Sequence, residues 1–162
     1  MTGAPALQQT LVRKVFSRIL HSYFRITRGL TLGVRAVVRS SDGKFLLVRH
    51  TYTPGWHLPG GGVEKGEFSE GALIKEIQQE TGLNVLGRPQ LLGIFYNRGV
   101  SDRDHVLLYS CETTGELSKK GSILEIAEVR YFGIEELPND IDPGTERRIQ
   151  EINLGQLSNS DW

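Results

Sequence analysis

The chain has 162 residues, 38% of them hydrophobic and 23% charged, with a formal net charge of zero. That length supports one domain with a full core, and the neutral total gives no electrostatic case for a nucleic-acid partner. The single cysteine, Cys111, excludes an internal disulfide and suits a reducing, cytoplasmic compartment, and no stretch approaches the ~18 apolar residues of a transmembrane helix.

Charge is distributed unevenly. Residues 1–41 hold no acid but seven basic residues, which leaves twelve Lys and Arg against nineteen acids in the rest, a net of −7. Leu11, Val12, Val15, Phe16, Ile19, Leu20, Tyr23 and Phe24 recur at helical spacing with Arg13, Lys14, Arg18 and His21 between them, so a basic amphipathic helix is expected over 1–28. It packs on the domain or on a second subunit of a homodimer. The alternatives are a membrane-surface contact or a targeting segment, since both are Arg-rich and acid-free.

A strand is expected from Leu30, closing at Ser40-Ser41-Asp42-Gly43, where Asp-Gly is a hairpin signal. The returning strand is Lys44–His50. Further strands are expected around 84–98, 105–111 and 126–132, with a short helical turn over 133–137. Asp142-Pro143-Gly144 breaks the chain before a helix from Thr145 to Ile152, and the tail 156–162 reads as polar and mobile.

The informative stretch is Trp56–Leu83. Pro59-Gly60-Gly61-Gly62 suits neither a helix nor a central strand, and lets the backbone approach a ligand or metal closely. From Ser69, a plausible N-cap, the pattern turns helical, and Gly82 supplies the stop. Leu73, Ile74, Ile77 and Thr81 form the face that packs on a sheet. Glu76 and Glu80 stand one turn apart with Gln79 beside them. Two stacked carboxylates repel unless a hard cation lies between them, so the pair is either a cation site or a solvated helix face.

From Gly61 to Leu83 the residues resemble the Nudix hydrolase signature, G-x5-E-x7-R-E-U-x-E-E-x-G-U with U aliphatic. Gly61, Glu67, Glu76, Ile77, Glu80, Gly82 and Leu83 match in register, while Lys75 replaces the Arg and Gln79 the first Glu of the pair. The resemblance implies an α/β fold, an α/β/α sandwich around a mixed β-sheet, here with an extra N-terminal amphipathic helix. Its boundaries are residues 1–28 for that helix, 29–155 for the Nudix domain and 156–162 for the tail.

The reaction the resemblance implies is hydrolysis of a nucleoside diphosphate linked to another moiety, such as a nucleotide sugar or modified nucleoside triphosphate. Water attacks phosphorus with Mg²⁺ as cofactor, or Mn²⁺ in its place. Carried over by position, Glu76, Glu80, Gln79 and the Gly60 carbonyl hold metal, and Glu125 outside the signature is a further candidate. Glu76 is also the candidate base, and Glu67 orients the helix through a pairing with Lys75. Arg49, Arg98 and Arg103 are candidates for the diphosphate. Trp56 either stacks on a base or sugar or fills the core. Gln79 keeps a second reading open, a non-catalytic nucleotide-binding module on the same fold.

Overall fold

The computed structural model describes residue 23 and residues 29–118, 125–157 and 160–162. The expected N-terminal helix lies outside the described residues apart from Tyr23. The chain divides into Met1–Leu30 and Thr31–Trp162, and every element below belongs to the second unit.

That unit runs β1 (Thr31–Val38), β2 (Phe45–His50), β3 (Trp56–His57), α1 (Ser69–Thr81), β4 (Asn84–Tyr96), β5 (Asp104–Thr114), β6 (Ile126–Phe132), a 3₁₀ turn (Ile134–Glu136) and α2 (Pro143–Asn153). One three-stranded sheet has the order β1-β5-β4 and the other β3-β2-β6. In the first, β1 and β5 are parallel and β4 and β5 antiparallel, so this sheet is mixed. The second is antiparallel throughout.

The two faces are covered by different helices. Val34, Ala36 and Val38 of β1 join Leu107, Tyr109 and Cys111 of β5 and Leu46 of β2 under Ala72, Leu73 and Ile77 of α1. Val37, Leu108 and Phe95 point the other way, among Phe45, Leu47, Trp56, Leu58, Phe132 and Ile149 of α2. This is the expected α/β/α layering. Burial of each large apolar side chain here is worth about 1.5–3 kcal/mol, so the two clusters carry most of the stabilisation.

Several local expectations are corrected. The turn at Ser40–Gly43 forms, with Gly43 at φ 82° and its N–H donating to Ser40 O, but the flanking strands share one bridge, Arg39 with Phe45, before joining different sheets. Both strands are nearly continuous apolar runs, which suits burial on two faces rather than a half-solvated hairpin. Ser69 is the first helical residue rather than the cap. Phe68 takes the cap position without a side-chain bond, and Ser69 Oγ is bonded to Tyr109 Oη at 2.8 Å. Ile74 is exposed, and Ala72 fills the face assigned to it.

Asp142-Pro143-Gly144 starts α2 instead of preceding it. Asp142 caps the helix by accepting from Thr145 N at 2.8 Å, and Pro143 sits where its missing N–H costs nothing. The end of the tail is docked. Tyr96 N donates to Ser160 O, Trp162 N donates to Tyr96 O, and the Trp162 ring stands 6.0 Å from Phe95.

Candidate active site

The site is assembled where the glycine run lies along the free edge of β1. Val34 N donates to Gly61 O at 2.9 Å, Ala36 N to Pro59 O at 2.8 Å, and Val63 N to Leu32 O at 2.9 Å. The loop thus behaves as a short strand that satisfies β1's outer edge. α1 lies over the same place, and its two carboxylates meet the loop from above.

Glu80 is 4% exposed. It accepts the Gly60 N–H at 2.8 Å and approaches His50 Nε2 at 3.4 Å. Burial pushes its carboxyl up to about 8 and pushes His50 down to about 4, so the two meet as neutral partners near pH 7. Glu76, one turn earlier, is half-buried and raised by burial. Its carboxylate fills the space beside Gly61, where an added Cβ would stand 2.7 Å from Glu76 Cδ. Glu125 lies near enough for its charge to raise Glu76 and Glu80 further.

Lys75 Nζ donates to Glu67 Oε1 at 2.9 Å and lies 3.9 Å from Glu76. That bond, with one from Glu64 N, holds Glu67 below the usual carboxylate range, while Glu67 in turn raises Lys75. The lysine therefore bridges the loop carboxylate and the helix carboxylate. Its place between the two carboxylates leads to the expectation that it positions Glu76 and matters through kcat. Lys75→Ala lowers kcat roughly 10- to 100-fold, the scale of lost supporting contacts, whereas Lys75→Arg retains or raises it. Steady-state kinetics on the two variants separate these outcomes.

Beside the loop opens a cavity of about 360 Å³ whose lining includes Arg35, His50, Tyr52, His57, Asn97 and Asp104 together with Gly60–Gly62. Asp104 is fixed by Thr31 Oγ1 at 2.6 Å and Asn97 Nδ2 at 2.8 Å. Three exposed apolar side chains, Leu32, Tyr52 and Val100, line the same cavity, as they would where a ligand completes their burial.

The other sequence-derived candidates divide. Gln79 is exposed on α1. The Gly60 carbonyl accepts from Arg35 Nη1 at 2.8 Å. Trp56 is core: it is 4% exposed and its ring meets Phe132 edge-on at 4.8 Å. Arg49 is exposed, with its guanidinium 5.9 Å from the Trp56 ring, and lines a separate hollow with His50, Tyr52 and Asp140. Arg98 turns toward Asp161 at 3.6 Å and the Tyr96 ring, and Arg103 is exposed with its carbonyl accepting from Thr31 N. Neither lines the cavity. Arg35, Asn97 and Asp104 were missed as site residues. The available signal for Arg35 was a lone charge inside the apolar run G-V-R-A-V-V.

A family model described as the NUDIX domain matches residues 29–152. The chain belongs to the Nudix hydrolase family. A Bacillus subtilis relative, assigned provisionally as an 8-oxo-dGTP diphosphatase, is 30% identical over 77% of this chain and 81% of its own length. An ADP-ribose pyrophosphatase of Methanocaldococcus jannaschii is 33% identical over 60% of this chain and 59% of that protein. The crystal structure of a MutT Nudix hydrolase from Burkholderia pseudomallei superposes with a TM-score of 0.63 at 25% identity, covering 79% of this chain and 98% of that one. None of the described helices is long and apolar enough to cross a membrane.

A Nudix site calls for a divalent cation, and the donor set here can be tested against one. Among the described residues no three His, Cys, Asp or Glu side chains form a ready-made metal cluster. Mg²⁺ does not require one, because it keeps several waters and is held by one or two carboxylates plus substrate phosphates. Two carboxylates, Glu76 and Glu80, pack against Gly60 and Gly61 of the cavity lining and are both raised by burial. They are oxygen donors set one helical turn apart beside the glycine loop, so the residues fit a hard cation.

Proposed function

We propose that the chain hydrolyses the diphosphate linkage of a nucleoside diphosphate joined to another moiety, a nucleotide sugar or a modified nucleoside triphosphate, with Mg²⁺ or Mn²⁺ bound at Glu76 and Glu80. The observation that carries this is the packing of both carboxylates against Gly60 and Gly61 at the edge of a cavity large enough to take a diphosphate. A bound cation would neutralise the diphosphate and lower the pKa of a coordinated water. Glu76, the more accessible carboxylate, takes the proton of the attacking water. Glu80, held by Gly60 N–H, is a fixed ligand. Glu67 and Lys75 orient Glu76. Glu125 lies near both and adds an oxygen donor, while exposed Gln79 contributes at most a neutral one.

The test is a hydrolysis panel of nucleotide sugars, ADP-ribose, dinucleoside polyphosphates and oxidised or normal nucleoside triphosphates, with Mg²⁺ and with Mn²⁺, beside Glu76→Gln. Turnover lost in that variant supports the proposal, and its substrate names the class. Binding across the panel without turnover favours the second reading, a nucleotide-binding module, which Gln79 in place of a Glu supports. If the first reading holds, Gln79→Glu tightens Mn²⁺ binding roughly 10-fold, which a calorimetric titration checks.

A further inference from the structure

Arg35 stands on a strand whose neighbours Val34, Ala36, Val37 and Val38 are all buried. Its guanidinium is half-buried at the cavity wall. Nη1 donates to two backbone carbonyls, Leu58 O at 3.0 Å and Gly60 O at 2.8 Å, which fixes the plane of the group. A guanidinium has five N–H donors, and both of these bonds use the same nitrogen. Among the described residues Nη2 and Nε meet no hydrogen-bond acceptor, and Arg35 makes no ion pair. The Glu76 and Glu80 carboxylates feel its charge without standing within ion-pair distance, so the rest of the fork is left for a further anion.

The rest of the cavity makes Arg35 its cation. The other described residues of its lining include no Lys or Arg. The Asp104 carboxylate of the lining is already engaged by Thr31 and Asn97. Arg35 shares Gly60 with the Glu80 carboxylate, one taking the carbonyl and the other the N–H, so an anion bridging the two sides of this glycine would meet the guanidinium directly.

We propose that Arg35 binds the diphosphate of the substrate through Nη2 and Nε, supplying positive charge that complements the cation held at Glu76 and Glu80 in a site where Gln79 has removed one negative charge. Its planar fork suits two phosphate oxygens, and a lysine would not reproduce it. This rests on the proposed diphosphate substrate, but its test does not require turnover.

The probe is the α,β-methylene analogue of ADP, titrated calorimetrically into wild type, Arg35→Met and Arg35→Lys at saturating Mg²⁺. Arg35→Met weakens the analogue roughly 10- to 100-fold, the scale of losing a charge-assisted contact, and Arg35→Lys recovers only part. Mn²⁺ affinity measured alone stays close to wild type while the thermal midpoint falls with the two lost carbonyl contacts, and added guanidinium ion restores analogue binding to Arg35→Met. Unchanged analogue affinity in Arg35→Met overturns the inference. So does a parallel loss of Mn²⁺ affinity without guanidinium rescue, because that pattern belongs to a residue that only clamps Leu58 and Gly60. A wild type that binds the analogue through Arg35 but hydrolyses nothing would refute the catalytic reading and leave this one standing.

Discussion

Glu80→Gln abolishes metal-dependent turnover while leaving the fold intact. If Glu80 holds the cation as proposed, losing that ligand removes several kcal/mol of transition-state stabilisation, roughly a 10³-fold fall in kcat. The fold survives because Gln is the isostere of the protonated acid. Glu80 sits near 8 against an ordinary 4.5, so at neutral pH without metal it is already uncharged, and the glutamine oxygen can still accept the Gly60 N–H. The sign of the pH effect follows. Below pH 4.5 the carboxyl is protonated whether the chain is folded or unfolded and has no effect. Between 4.5 and about 8 the unfolded chain ionises while the folded chain does not. Metal-free wild type therefore loses up to ~1.4 kcal/mol of stability per pH unit in that window, a slope that Glu80→Gln lacks and saturating Mg²⁺ suppresses. Denaturant melts at several pH values measure it. Equal slopes in the two proteins would remove burial as the cause.

Gly60→Ala disrupts both stability and the site. The residue has φ 143°, and an added Cβ would stand 2.0 Å from Val34 O and 2.9 Å from Val34 C, both backbone atoms that cannot step aside. The loop must leave β1, breaking the edge bonds at Val34 and Ala36 and withdrawing the N–H from Glu80. A loss of more than ~3 kcal/mol is expected from strain plus broken contacts, together with loss of turnover. Gly62 is the internal control, since a Cβ added there would meet no atom within 4 Å and its φ is not positive. Gly62→Ala should fall within about 0.5 kcal/mol of wild type. Guanidinium-induced unfolding of the pair decides it. A wild-type midpoint for Gly60→Ala would mean the loop does not need its contact with β1.

What the sequence could reveal tracks which interactions are local. The spacing of Glu76 and Glu80, the Gly82 stop at φ 76° and the β6 limits at Ile126 and Phe132 all follow from periodicity or from one residue's backbone preference. The Glu67–Lys75 contact was accessible because the signature's spacing is itself a record of loop and helix geometry. What failed depended on distant partners. Trp56 could be a stacking platform or a core ring, and only Phe132, brought beside it by β2 pairing with both β3 and β6, settles that it is core. Ser69 was a sound cap by composition, but Tyr109 from β5 takes its hydroxyl. Arg49 and Arg98 close strand-like runs and so read as diphosphate candidates, yet the cavity is walled by Arg35 from mid-strand, because the glycine loop rather than a neighbouring strand lies against that edge of β1. The Ser40–Gly43 turn was legible, but not the parting of its two strands into separate sheets, which is fixed by β5 and β6 far along the chain.

The most direct test of the cation site is Mn²⁺ binding at neutral pH, followed by electron paramagnetic resonance with proton release recorded in the same titration. Wild type is expected to bind Mn²⁺ and to release a proton as Glu80 ionises, and Glu80→Gln is expected to bind far more weakly and release none. Equal Mn²⁺ affinity in the two proteins would contradict the assignment of the cation to this pair of carboxylates.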